Sequence, residues 1–273
     1  MKLPASSLWR FAALLCSASL VVSSVHAQQT EALRKQFLEY KAKADRGDAE
    51  AQTQLGFYYN TGQGVEKDDN EAIKWYQKAA DSNFATAQFA LGSLYSFGLG
   101  VAKNELEGVK WIRKAAEQNF PPAQVAIGDR YAHGNGVQTN YTEAVNWYRK
   151  AAEQNDAEGQ LSLGVCYLRG QGVEKDSAEA AKWIRKAADQ NDAMAQFILA
   201  DCYANGQGVE KDYAEAYAWY NLLAVRVNPI VETARTCRDN LEKRMAPQQV
   251  ADAQKRTKEL RAQIETKLKS AGK

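Results

Sequence analysis

The sequence predicts an all-α fold, a right-handed α-solenoid of five 36-residue helix-hairpin repeats closed by capping helices. Three observations carry this. Trp75, Trp111, Trp147, Trp183 and Trp219 recur at a step of 36, and Tyr59, Tyr95, Tyr131, Tyr167 and Tyr203 keep the same step. Paired glycines stand at Gly62/Gly64, Gly98/Gly100, Gly134/Gly136, Gly170/Gly172 and Gly206/Gly208. With Gly56, Gly92, Gly128 and Gly164 they make up 14 of the 18 glycines, so glycine here punctuates a repeat. An Asp or Asn followed three residues on by Glu recurs at Asp68/Glu71, Asn104/Glu107, Asn140/Glu143, Asp176/Glu179 and Asp212/Glu215.

The elements follow in chain order. Lys2 and Arg10 give a positive start, and Phe11 to Val22 is an apolar run of 12 residues, too short to span a bilayer. Ser23-Ser24-Val25-His26-Ala27 then offers a small-residue cleavage site, so residues 1–27 read as a signal peptide. The expected destination is across the inner membrane, the periplasm if the cell is Gram-negative. Residues 28–46 read as an N-terminal cap, a degenerate second helix in which Tyr40 aligns with Tyr76 and Ala44 with Ala80.

Five hairpins are expected over 47–228. The first helix of each carries one apolar face, as in Ala51, Leu55, Tyr58 and Tyr59. Gly56 on its flank lets another helix come close, and Gly62 ends it at a left-handed cap. Asp68 opens the second helix, with Glu71 completing a capping box. Ala72, Trp75, Tyr76, Ala79 and Ala80 form its buried stripe. Asn83 stops it, as Asn119, Asn155 and Asn191 do in later units. One hairpin cannot bury this stripe, whereas a stack of hairpins can. Leu222-Leu223-Ala224 replaces the usual Lys-Ala-Ala, so that helix end is expected to be covered. Residues 229–273 read as C-terminal capping helices, the last with Val250, Ala253, Leu260, Ile264 and Leu268 on one face. They hold 11 basic and 6 acidic side chains, with Arg256, Lys258 and Arg261 among them.

Ala-Gln-x-x-Leu-Gly-x-x-Tyr, then Gly-x-Gly-Val-x-Lys-Asp, then Glu-Ala-x-x-Trp-Tyr-x-Lys-Ala-Ala resembles the Sel-1-like repeat, a branch of the tetratricopeptide-like α-solenoids. The resemblance covers 47–228. It implies an exported bacterial scaffold or adaptor that binds protein or peptide and catalyses nothing. Two alternatives come with it. Some exported members beside secreted lipase toxins look like immunity proteins, so neutralisation of a cognate toxin is one. A cysteine-rich branch linked to β-lactam binding or hydrolysis is the other, but that branch staples each repeat with a disulfide, and repeats one to three here contain no cysteine.

Chemistry is sparse. Lys plus Arg is 35 against 33 for Asp plus Glu, which gives no reason to expect nucleic acid. His133 is the one histidine beyond the signal peptide; no serine stands in a nucleophile elbow, and Cys166, one unit on in a different column, is not expected within reach of it, so no catalytic residue, metal site or cofactor is expected. Cys166 and Cys202 share a column of adjacent first helices. Those helices sit about 8–10 Å apart, too far for a disulfide; a Cys202–Cys237 bond stays open.

A partner surface is expected on the face of the first helices opposite the core, where residues vary between units. The candidates are Phe57, Asn60, Phe89, Ser93, Asp129, Val165, Leu168 and Asp201. The neighbouring column of Thr53, Phe89, Val125, Leu161 and Phe197 has a competing role, sealing repeat against repeat.

Overall fold

The computed structural model describes residues 31–224 and 230–271. The expected signal peptide lies outside them, as does Pro229. Among the described residues there are helices and turns but no strand, and no helix is long and apolar enough to cross a membrane. The chain divides into two compact units between Trp111 and Ile112.

In the first unit, α1 (31–44) precedes α2 (Ala49–Thr61), α3 (Asp69–Asp81), α4 (Ala85–Phe97) and the start of α5 (Glu105–Glu117). Each helix of 13 residues ends as the sequence dictates. Gly62 sits at φ +72°, and its N–H donates to the Tyr58 carbonyl; Asn83 sits at φ 61°. Phe37, Ala44, Leu55, Tyr58 and Trp75 form one core cluster, and Tyr76, Leu91 and Leu94 belong to the next. The α1 helix takes the place of a second helix, as its alignment predicts. A Cβ on Gly64 would lie 2.6 Å from the Leu33 carbonyl, and one on Gly100 would lie 2.6 Å from the Asp69 Cβ. Leu33 and Asp69 stand at the same offset before their glycines, so α1 meets the following turn in the register of α3.

The second unit holds the rest of α5, then α6 (Pro121–His133), α7 (Tyr141–Glu153), α8 (Ala157–Arg169), α9 (Ser177–Asp189), α10 (Ala193–Asn205) and α11 (Tyr213–Leu223). From α6 to α11 each helix packs on the next. Arginines of second helices reach the tyrosine column of the following first helix: Arg113 donates to the Tyr131 hydroxyl at 2.6 Å, Arg149 to Tyr167 at 3.1 Å, and Arg185 to Tyr203. Trp147 is buried, with the Lys150 ammonium 3.9 Å from its ring centre; Trp219 is fully buried, while Trp183 is half-buried.

The chain closes with α12 (Val231–Glu242) and α13 (Pro247–Ala271), both packed on α11. Leu222 and Leu223 are buried there, as their apolar substitution predicts. Arg235 caps α11 by donating to the Ala224 carbonyl at 2.7 Å. Arg256 of this basic segment is paired with Glu215 at 2.5 Å. Lys267 reaches back to Asp189 at 2.7 Å. Ala253, Leu260 and Ile264 are buried, but Leu268 is 42% exposed, in a shallow hollow with Lys186 and Gln190 at the end of α9.

The capping boxes are only half formed. Asp68 accepts from the amides of Asn70 and Glu71. Its own amide, however, donates to the Tyr59 carbonyl at 2.9 Å, and the Glu71 carboxylate turns forward to Lys74. The amides of Asn104, Asn140, Asp176 and Asp212 likewise donate to Tyr95, Tyr131, Tyr167 and Tyr203. The hairpin therefore uses this donor to tie the start of the second helix to the end of the first.

Two stability outcomes follow. Trp147→Ala should lower unfolding free energy by about 3–5 kcal/mol, because it empties a buried aromatic site; denaturant unfolding measures it. Ser82→Gln should raise stability by about 1 kcal/mol. The buried Gln52 Oε1 has no partner. In the second unit, Gln154, in the column of Ser82, supplies that donor to Gln124 at 2.7 Å.

A groove on the second unit

First helices α6, α8 and α10 build a groove of about 300 Å³, lined by Asp129, Leu161, Val165, Arg169, Met194 and Ile198 among others. The α8 helix forms its floor, and α6 also touches α8 directly. Leu161 and Val165 are half-buried, Arg169 is exposed, and Met194 is 49% exposed. Glu158 stands one turn before Leu161, just outside the lining, and is reached by solvent. Some desolvation, then the negative charges of Asp129, Asp156 and Asp192, push its carboxyl above the usual range. Among the described residues neither Glu158 nor Arg169 has an ion-pair partner.

Of the predicted contact residues, the structure brings Asp129 and Val165 to this groove. Leu168 is half-buried against the core, and Asp201 accepts from the Tyr220 hydroxyl. The other four lie on the first unit. Phe57 is 43% exposed there. The Asn60 amide donates to Asp69 at 2.9 Å, and the Ser93 hydroxyl donates to its own helix at the Phe89 carbonyl, 2.9 Å away. Phe89 is half-buried. In the neighbouring column, Thr53 and Val125 are buried and Phe197 stacks edge-on to Tyr220 at 5.5 Å, so sealing prevails at those positions.

Asp129 and Asp201, expected from the sequence to face a partner, are held by packing within their repeats. The Tyr148 ring lies against Gly128, where a Cβ would come within 2.6 Å of it, and its hydroxyl donates to Asp129 at 2.7 Å. Tyr220 does the same for Asp201. Where the second helix carries Ile184 in place of tyrosine, the first helix carries Val165. The acids are therefore acceptors for buried phenols, and the Tyr148 hydroxyl is held well above its usual pKa by burial first and Asp129 second.

Reading the columns missed Ser162, Ile198 and Arg169 as groove residues, because each lies one position beyond the columns chosen as exposed. It also missed an apolar turn on the first unit, with Phe97 67%, Leu99 45% and Leu106 59% exposed. The signal was present: the other repeats hold Thr61, His133, Arg169 and Asn205 in the column of Phe97.

His133 and Cys166 both line the groove, although they occupy different columns. His133 Nδ1 is 2.9 Å from the Asp129 carbonyl oxygen of its own helix. Burial pushes the Cys166 thiol up to about 11, and Cys202 likewise to about 11. Cys166, Cys202 and Cys237 are all free thiols. Raised pKa values keep the thiolate scarce at neutral pH, and the thiolate is the reactive form. In native protein at pH 8, iodoacetamide should therefore modify half-buried Cys237 first and leave Cys166 and Cys202 protected until unfolding. Peptide mass spectrometry reads the order.

The Sel1 repeat model matches residues 49–84, 85–120, 121–156, 157–192 and 193–224. Each match begins at the start of a first helix. Among solved structures, a Sel1 repeat protein from Oxalobacter formigenes is 34% identical, with a TM-score of 0.66 over 79% of this chain and 93% of that one. The protective antigen c5321 of uropathogenic Escherichia coli, described as displaying an SLR fold, is 28% identical with a TM-score of 0.54 over 86% of this chain and 58% of that one. Immunity protein Pa5087 from Pseudomonas aeruginosa is 20% identical with a TM-score of 0.44 over 78% and 82%, a distance at which the likeness bears on neither function nor partner. Among curated proteins no sequence matches. With five consecutive repeats matched and each hairpin in the expected register, the chain belongs to the Sel1 repeat family.

Proposed function

We propose that this protein is an exported, non-enzymatic binding protein that holds a segment of another protein in the groove of α6, α8 and α10. The observation that carries the reading is the groove itself: aliphatic floor, unpaired charge at its margins, and no activated nucleophile. A half-buried Leu161–Val165 surface beside Met194 and Ile198 offers apolar area to a partner, and such area drives association. Charged rims set orientation and select the partner.

Peptides selected from a displayed random library on the purified protein test the reading. Met194→Glu should weaken their binding by about tenfold or more. Because Met194 is half exposed, the thermal melt should shift by no more than about 0.5 kcal/mol equivalent. Selected peptides that bind the variant normally would place the site elsewhere.

Export rests on the first 27 residues alone. Intact mass of protein recovered from the cell envelope should correspond to a chain beginning at Gln28. A retained Met1, or a lipid mass on Cys16, would overturn that part of the reading.

A further inference from the structure

The floor helix of the groove carries a stripe that none of the other first helices shares. Along α8, Glu158, Leu161, Val165 and Arg169 fall at i, i+3, i+7 and i+11, one face of a helix. The face runs acid, aliphatic, aliphatic, base over about 16 Å. The corresponding residues are Pro122, Val125, Asp129 and His133 on α6, and Met194, Phe197, Asp201 and Asn205 on α10. On α8 both end charges are exposed and unpaired, and both middle side chains are half-buried.

Resting on the groove reading above, we infer that the occupant is one amphipathic α-helix of a partner protein, lying antiparallel to α8 with an acid against Arg169, two aliphatic side chains on Val165 and Leu161, and a base against Glu158. Three physical points select this occupant. Leu161, Val165 and Arg169 line the hollow along a single face of α8, with Asp129 of α6 and Met194 and Ile198 of α10 beside them, so an occupant that presents one helical face matches it. Charge complementarity fixes the order of the ligand's ends, since the reverse order sets like charges against each other. The antiparallel direction then puts the ligand's acid in its first turn and its base in its last, where each is favoured by the ligand's own helix dipole.

The test uses a labelled peptide with Asp, Leu, Leu and Lys at i, i+4, i+8 and i+11 on an alanine–glutamine background. A twin has Asp and Lys exchanged, and a third version has a central proline. Fluorescence anisotropy against the full chain should show the first peptide binding at least about tenfold tighter than either of the others. The double variant Glu158→Lys with Arg169→Glu should invert the preference between the twins, with its circular-dichroism melt as the control for folding. Equal binding of the twins, undiminished binding of the proline peptide, or no binding of any of them would overturn the helix. If that happens while library-selected peptides still lose affinity on Met194→Glu, the groove reading stands without it. If Met194→Glu changes nothing for any ligand, both fall.

Discussion

The stack depends on a buried amide. The last carbonyls of an α-helix have no partner within the helix, and burying one unpaired is costly. The carbonyls of Ala44, Ala80, Ala116, Ala152 and Ala188 each accept an amide of the turn that follows, and a buried glutamine of the next repeat adds a second donor. Gln52 donates to the Ala44 carbonyl and Gln88 to Ala80, both at 3.2 Å. In the second unit Gln124, Gln160 and Gln196 do the same for Ala116, Ala152 and Ala188. All five glutamines are at most 7% exposed. An amide this buried must find its acceptor, so the first helix of each repeat has one seat on the second helix before it.

Several other residue choices follow from that seat. The second amide proton of Gln160 goes to Asn155 at 3.0 Å, and that of Gln88 to Asn83 at 3.1 Å. Asparagine at the left-handed position therefore both tolerates the backbone and accepts from the glutamine, which a glycine cannot do. Gly47 precedes Gln52 in that column and supplies only the backbone conformation. On the acceptor side, Gln190 donates to Gln160 at 2.9 Å. The first repeat, with Ser82 there, leaves its glutamine oxygen unpaired.

Because the seat is fixed by backbone and buried polar groups, the solvent-facing columns of the first helices can differ between repeats. That freedom is narrower than it looks. The Tyr148 and Tyr220 hydroxyls donate to Asp129 and Asp201. Where Ile184 replaces the phenol, that donor is absent and α8 carries Val165. The alternation of tyrosine and isoleucine in the second helices thus leaves α8 aliphatic at the centre of the groove, between two helices whose acids are already engaged. Its free charges, Glu158 and Arg169, lie at the two ends. The result is an aliphatic hollow with a charge at each end, in which burial pushes the Cys166 thiol pKa up.

The repeat length, the helix ends, the N-caps and the place of α1 as a surrogate second helix were all legible in the sequence, because each is a local demand. A left-handed cap needs Gly or Asn, an N-cap needs Asp or Asn, and a buried stripe recurs with the helical period. The sequence also showed which columns vary. It did not show why, since the cause lies on another helix: Asp129 answers Tyr148 from 19 residues away, and the glutamine of each first helix answers a carbonyl of the helix before it. The groove was similarly out of reach. Ser162, Val165 and Arg169 share a face of α8 at helical spacing, but Asp129 of α6 and Met194 and Ile198 of α10 join them only when the three helices are set side by side. Local preferences are written in adjacent residues. Which side chains share a surface is decided by how buried polar groups across helices are satisfied, and only the tertiary structure does that.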